Sequence, residues 1–332
     1  MKLQRRTLGR WGLAACASPL SWPLPPGALA APAAWPDRPL RLLVVYPPGG
    51  VSDGMARVLA EPLSQALGVP VLVEHRAGAG GAVGMGVLAR AAPDGRTLAF
   101  SAISPLTLQP LLTRVRYDPL RAFVPVVSVM RTPVLVVGTP AFAGRGFDAL
   151  VALARAQPGA VRWASSGMAT VGHMVLVQVR AQSGAAITHI PYQGGGPQLK
   201  DALAGQFEVL STNVAAQQLQ YIESGRLQPL AVGAPARLDV LPDVPTLAEL
   251  GFPQANLVSL FGLFAPARTP AAVVQRLHAE INRMLETEPL RLWLREAHNL
   301  PAGGSMESFA REIALDRQRN RALVAGHAAL FD

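Results

Sequence analysis

Apolar residues change their spacing along the chain so that strand-like runs alternate with helix-like segments. Leu40-Arg41-Leu42-Leu43-Val44-Val45 is a short, nearly continuous apolar run of the buried-strand type, and it leads into Pro47-Pro48-Gly49-Gly50. From Ser52-Asp53 the spacing lengthens to three and four. Met55, Val58, Leu59, Leu63 and Leu67 then predict a helix, with Pro62 expected to kink or shorten it. A second strand is expected over residues 69–74, then a Gly-rich turn and a helix through Val87-Leu88-Ala89. Pro93-Asp94-Gly95 makes a turn before a strand over residues 97–101. Repeated β-α-β order implies a largely parallel sheet, hence an α/β fold.

A second series begins near Pro133. Strands are expected over residues 134–137, 161–164, 187–190, 207–210 and 229–232, with helices over roughly 146–157, 170–183, 195–204 and 214–224. Leu260-Phe261-Gly262-Leu263-Phe264-Ala265-Pro266 reads as a connection back to the first series. Thr269-Pro270 is a cap-plus-first-turn pair for a long helix with Val273, Val274, Leu277, Ile281, Met284 and Leu285 on one face. A last helix is expected over about 305–325. The chain's 332 residues exceed one usual domain, so two lobes are expected.

Half the residues are apolar and 15% are charged, the composition of a globular protein with ample core material. The formal charge of +9 is inflated by the first 30 residues, which hold Lys2, Arg5, Arg6 and Arg10 and no acid. Without them 26 basic side chains face 21 acidic ones, a net +5, a mild excess that favours anionic ligands. No clustered basic stripe with interleaved aromatics is present, so nucleic acid is not an expected partner.

Those first 30 residues read as an export signal. A basic stretch precedes an apolar Ala/Leu/Pro-rich segment that ends in Ala28-Leu29-Ala30, a small-x-small cleavage pattern, so a periplasmic location follows. Arg5-Arg6 resembles a twin-arginine signal, and Leu13-Ala14-Ala15-Cys16 a lipid-attachment box; both rank second, because the apolar run is short and broken by proline. Cys16 is the only cysteine, so cleavage after Ala30 leaves no thiol chemistry.

Three loops share one design in which a strand ends, small or hydroxylated residues follow, and a helix begins. They are Pro47-Pro48-Gly49-Gly50-Val51-Ser52-Asp53, Ser165-Ser166-Gly167-Met168-Ala169-Thr170 and Tyr192-Gln193-Gly194-Gly195-Gly196. A helix start leaves backbone N–H groups unpaired and carries partial positive charge, which suits an anion. Each loop alone is also an ordinary capped turn; three across two lobes favour binding. Gly78-Ala79-Gly80-Gly81-Ala82-Val83-Gly84 departs from the dinucleotide fingerprint, with Val83 where the last glycine belongs, and reads as a packing turn.

Catalytic patterns are poor. No GxSxG or HExxH occurs, metal ligands do not cluster, and neither a metal nor a cofactor is expected. Ser166 with His173 is the basis of an alternative reading, an exported serine esterase or hydrolase. His173, however, falls among Met174, Leu176 and Val177 and reads as a packing or capping residue, and His75 and His189 as structural. Asp53 in a first helical turn reads as a dipole-favoured cap. Binding is favoured over catalysis.

Taken in order, these stretches resemble one family. Residues 36–50 with Asp53 and Ala56-Arg57, Val73-Glu74-His75-Arg76-Ala77-Gly78-Ala79-Gly80-Gly81, and Ala92-Pro93-Asp94-Gly95-Arg96-Thr97-Leu98 carry the likeness. Tyr117-Asp118-Pro119, His189-Ile190-Pro191-Tyr192 with Gly194, Leu241-Pro242-Asp243-Val244-Pro245-Thr246 and Gly262-Leu263-Phe264-Ala265-Pro266 extend it over nearly the whole chain. The resemblance is to the Bug/TctC receptors, extracytoplasmic solute-binding subunits of tripartite tricarboxylate transporters.

That resemblance implies a type II periplasmic-binding-protein fold, two α/β lobes around a ligand cleft joined by two crossing strands. Residues 36–128 would form the first part of lobe 1, residues 129–256 lobe 2, and residues 257–332 the return to lobe 1. It implies a monomer that traps a small carboxylate and presents it to integral membrane subunits of the transporter. A ligand-sensing partner of a membrane signalling protein is a further alternative on the same fold. Ligand-binding roles then carry to Tyr46, Pro48, Gly49, Gly50, Val51 and Asp53, to Ser165, Ser166 and Thr170, to Tyr192, Gln193 and Gly194, and to Thr212. Three positions depart from the family pattern. Gln193 stands where lysine is common, Thr212 where aspartate is, and Leu260 where tryptophan is frequent near the cleft. Losing the acid at Thr212 argues against a ligand that carries an amino group.

Overall fold

A computed structural model describes residues 35–331 of the chain; the expected export signal, the cleavage site at Ala30 and Cys16 lie outside them. The first half runs β1 (Leu40–Val44), α1 (Val51–Leu67), β2 (Val71–His75), α2 (Ala82–Leu88) and β3 (Thr97–Ala102). Two single-turn helices, α3 (Ser104–Thr107) and α4 (Gln109–Leu112), lead to the sixteen-residue β4 (Phe123–Gly138). The second half continues with α5 (Gly146–Ala156), β5 (Arg162–Ser165), α6 (Val171–Ser183), β6 (Thr188–Pro191), α7 (Gly195–Leu203), β7 (Val209–Asn213), α8 (Ala216–Glu223) and β8 (Gln228–Gly233). The chain returns through β9 (Val258–Pro266), α9 (Ala271–Leu285), α10 (Glu288–Glu296), β10 (Leu300–Pro301) and α11 (Met306–Gly326).

Periodicity located most of these elements, with five corrections. Pro62 lies inside α1 without shortening it, and the helix runs 17 residues to a left-handed Gly68. At α9 the cap position is Pro270 itself, while the Thr269 hydroxyl donates back to the Pro266 carbonyl at 2.8 Å. α10 was not expected, and β4 begins eleven residues before the apolar run that signalled it.

The fifth concerns the sheet, which is less parallel than β-α-β order implies. Pairings β1–β2, β1–β3, β5–β6 and β5–β7 are parallel, but every pairing made by β4 or β9 is antiparallel. The cause is the path of β4. Its first part, Phe123 to Pro133, pairs with β9, and its last five residues pair with β7 on one edge and β8 on the other. One strand therefore belongs to both halves of the order β2-β1-β3-β9-β4-β7-β5-β6.

Separate apolar cores fill the two halves. Met55, Leu59 and Leu63 of α1 and Val274, Leu277 and Ile281 of α9 pack on Leu42, Phe100 and Leu263. In the second half Phe147, Leu150 and Leu176 pack on Trp163, Val136 and Val209. With helices laid on each half in this way, loops leaving the carboxyl ends of β1, β3, β5, β6 and β7 are free to shape a crevice.

Candidate functional site

The crevice encloses about 830 Å³, a volume that includes the open solvent at its mouth. Tyr46, Gly49, Gly50 and Val51 line it from one side; Ser166, Thr170, Gly194 and Thr212 line it from the other. Pro48, Asp53, Ser165, Tyr192 and Gln193 do not line it, although all five were sequence candidates.

The first loop is tied down by Asp53. Its Oδ2 accepts the Gly49 N–H at 3.0 Å, while Oδ1 takes Arg57 Nε and His75 Nε2, each at 2.8 Å. Burial pushes this carboxyl up, but the Gly49 amide, His75 and Arg57 outweigh burial and hold it below the usual carboxylate range. Asp53 therefore shapes the loop from behind, and Gly49 spends its N–H on that anchor. Gly50, at the cap position of α1, makes no side-chain cap. Tyr46 stays neutral, because burial, partly offset by Ser104 and Ser101, raises its phenol to about 12.

In the second loop Thr170 caps α6, accepting the His173 N–H at 3.3 Å and donating to the Gly167 carbonyl at 2.8 Å. Ser165 is buried beneath it. Its hydroxyl lies 3.0 Å from Gly167 O and shares a 2.7 Å hydrogen bond with His189 Nε2. His173 Nδ1 accepts the Ala169 N–H at 3.2 Å, and the two imidazoles stack 4.1 Å apart. Burial, with His189 and Arg180 nearby, pushes His173 down to about 3; burial and Arg180 push His189 to about 4. These neutral rings support the loop, and His173 is engaged with Ala169 rather than with Ser166.

The third loop is stitched to the second. Tyr192 N–H donates to Ser165 O at 2.9 Å and Gly194 N–H to Ser166 O at 2.8 Å. Tyr192 turns its hydroxyl to Asp201 at 2.8 Å, and Gln193 is exposed, so the crevice is left to Gly194, Gly195 and Gly196. Gly194 has φ +120°, and a Cβ there would fall 2.6 Å from Pro47 Cδ, which only glycine avoids. The Gly78–Gly84 stretch packs in the same way: a Cβ on Gly80 would lie 2.6 Å from Met168 O. The two halves thus touch across the crevice at Pro47–Gly194 and at Gly80–Met168.

Sequence reasoning found only Thr212 of a fourth contributor. β7 ends in Thr212-Asn213, and α8 follows with Ala215 in the cap position and Gln217 and Gln218 in its first turn; all five residues line the crevice. Nothing glycine-rich marks this loop; its only signal was a strand end followed by a short amphipathic segment. Ala102, Ser104, Ser259 and Phe261 complete the wall from β3, α3 and β9. Leu260, the position where the family often has tryptophan, points instead into the core, because neighbouring strand residues face opposite ways.

Buried polar contacts aim these helices. Gln198 Nε2 donates to Ala164 O at 2.9 Å and Ser211 O at 3.3 Å, fastening α7 to β5 and β7. Ser211 Oγ accepts Trp163 Nε1–H at 2.8 Å and donates to Gly172 O at 2.7 Å, fastening α6 to the same strands. The result is that α1, α6, α7 and α8, of 17, 13, 9 and 8 residues, all start at one crevice. Of the four, only α6 has a side-chain cap. Among the described residues no Asp, Glu, Lys, Arg or His lines the crevice. Its field is set by helix termini, each equivalent to roughly half a positive charge.

The remainder of the described residues offers no helix long and apolar enough to cross a membrane and no group of three potential ligands placed to hold a metal ion.

Comparison with known proteins places this geometry. Residues 55–327 match the model of the tripartite tricarboxylate transporter family receptor. Protein BugT of Bordetella pertussis is 38% identical over 265 residues, which is 78% of this chain and 81% of BugT. The structure of R. palustris Rpa4515 with adipate superposes with a TM-score of 0.84 at 28% identity, covering 89% of this chain and 98% of that one. MatC from Rhodopseudomonas palustris with bound malate superposes with a TM-score of 0.82 at 26% identity, covering 87% of this chain and 100% of that one.

Proposed function

The chain belongs to the family of tripartite tricarboxylate transporter receptors, and from that premise we propose that it traps a small carboxylate in the crevice for delivery to the membrane subunits of such a transporter. The observation that carries this reading is the convergence of four helix N-termini on a crevice lined by no ionised side chain. An anion there is met by backbone N–H groups and helix dipoles, which need no counter-charge to be desolvated. A cation would be repelled. The adipate and malate held by the two structural relatives fit the same chemistry.

In this reading residues 36–128 and 257–332 form one lobe and residues 129–256 the other, and they hinge about β4 and the start of β9. Closure brings Pro47 to Gly194 and Gly80 to Met168, and the membrane partner reads the closed form. Export of a monomer to the periplasm, directed by the first 30 residues, puts the receptor where such a ligand arrives. Ser166, Thr170 and Thr212 supply hydroxyls, and the α1 and α7 starts supply amides.

Isothermal titration of the purified protein with mono-, di- and tricarboxylates, including adipate and malate, tests this. Saturable one-to-one binding of at least one carboxylate, weakened by Ser166→Ala and Thr170→Ala, is expected. Folded, ligand-free protein that binds none of them, or that binds organic cations instead, refutes it.

A further inference from the structure

Gln218 lies in the first turn of α8, lines the crevice and is 1% exposed. Neither its Oε1 nor its Nε2 has a hydrogen-bond partner within the protein, and among the buried side chains of the described residues it is the one with both amide ends unpaired. A buried amide without partners is costly, whereas an apolar residue of the same shape would carry no such cost. Two other polar residues of the crevice wall are engaged with each other, Ser259 Oγ donating to Asn213 Oδ1 at 2.7 Å. Gln198, buried in the same half, spends its whole NH₂ on two carbonyls.

The partner that suits Gln218 must offer a donor and an acceptor together. A carboxylate only accepts, so it would satisfy Nε2 and set an anion against Oε1. An ammonium only donates and would sit among four helix N-termini with no acidic side chain lining the crevice. An alcohol hydroxyl does both, with no net charge. We propose that Gln218 is a specificity-determining residue whose amide accepts from and donates to a hydroxyl on the ligand, so that the receptor selects hydroxycarboxylates over the matching acids without the hydroxyl. This rests on the carboxylate reading above and specifies the ligand class within it.

Titration calorimetry with matched pairs, malate against succinate and lactate against propionate, tests the assignment on the full chain and its Gln218→Met variant, with melting temperatures confirming that both are folded. A site built to hydrogen-bond a hydroxyl discriminates strongly against the analogue that lacks it. The expected result is that the hydroxy acid of at least one pair binds ten-fold or more tighter than its partner. Gln218→Met should collapse that ratio towards one by weakening the hydroxy acid at least five-fold more than the deoxy acid. Equal binding of both members of each pair by the unmodified protein overturns the assignment and leaves carboxylate binding standing; so does a variant that weakens both members by the same factor, the behaviour of a packing residue. If the variant does not fold, the ratio for the unmodified protein decides. Failure of all four acids, together with failure of the wider carboxylate panel, removes both readings.

Discussion

The amide nitrogen of Gly49 lies 3.0 Å from Asp53 Oδ2, so the first glycine of the cleft loop donates to its own helix and not to the crevice. That bond sets the direction in which the next amides, those of Gly50 and Val51, present themselves.

Asp53→Ala removes the acceptor shared by Gly49, Arg57 and His75. Urea denaturation should show a loss of about 1–3 kcal/mol, the cost of stripping a buried charged acceptor from its donors. Carboxylate affinity should fall roughly ten-fold as the loop relaxes, about 1.4 kcal/mol. Arg57 is largely exposed, so Arg57→Ala should cost under about 1 kcal/mol.

Gly172→Ala tests the aim of α6. A Cβ there would stand 2.6 Å from the Ser211 carbonyl oxygen, a backbone atom held within the β4–β7 pairing. Overpacking of this kind costs about 1–3 kcal/mol. A lower melting temperature together with weaker carboxylate binding is expected; unchanged binding would mean that the α6 terminus does not bear on the ligand.

Stability should depend on pH through the stacked imidazoles. His173 and His189 have folded values of about 3 and about 4, below the ordinary 6.5, so between these values the unfolded chain holds more protons than the folded one. Stability therefore rises with pH through this window. It is complete above pH 6.5 and is lost progressively as pH falls towards 4. His189 alone accounts for on the order of 3 kcal/mol at 1.36 kcal/mol per unit. Urea midpoints at pH 7, 5.5 and 4.5 should decline in that order, and His173→Phe should flatten the decline.

Thr212→Asp places a carboxylate in a wall that now lacks any ionised side chain. Repulsion at about 5 Å with an effective dielectric near 20 is roughly 3 kcal/mol, so carboxylate affinity should drop by about 100-fold. The melting temperature of ligand-free protein should move little, since Thr212 is only half-buried. Equal affinities in the two proteins would place the anion elsewhere.

Local pattern carried most of the fold. The apolar stripe of α9, from Val273 to Leu285, is buried as its spacing required, because a period near 3.6 depends on the helix alone. The same holds for the three turns at Gly49, Ser166 and Gly194, where glycine or hydroxyl residues follow a strand. Family resemblance added the crossing strands that periodicity missed: nothing local in residues 123–133 distinguishes a long strand shared by both halves from a short one.

What the chain's own sequence determined about this protein is therefore where its helices begin and which residues could serve a ligand there. Tertiary structure alone decided which of them line the crevice. Asp53, Ser165 and Tyr192 carry suitable chemistry, but they meet His75, His189 and Asp201 on other elements and are spent on scaffolding. Gln218, in a segment without glycine or any other motif, ends up with both amide ends unpaired at the crevice. A polar group is free for a ligand only when no other part of the fold satisfies it, and that is settled by contacts between residues far apart in the chain.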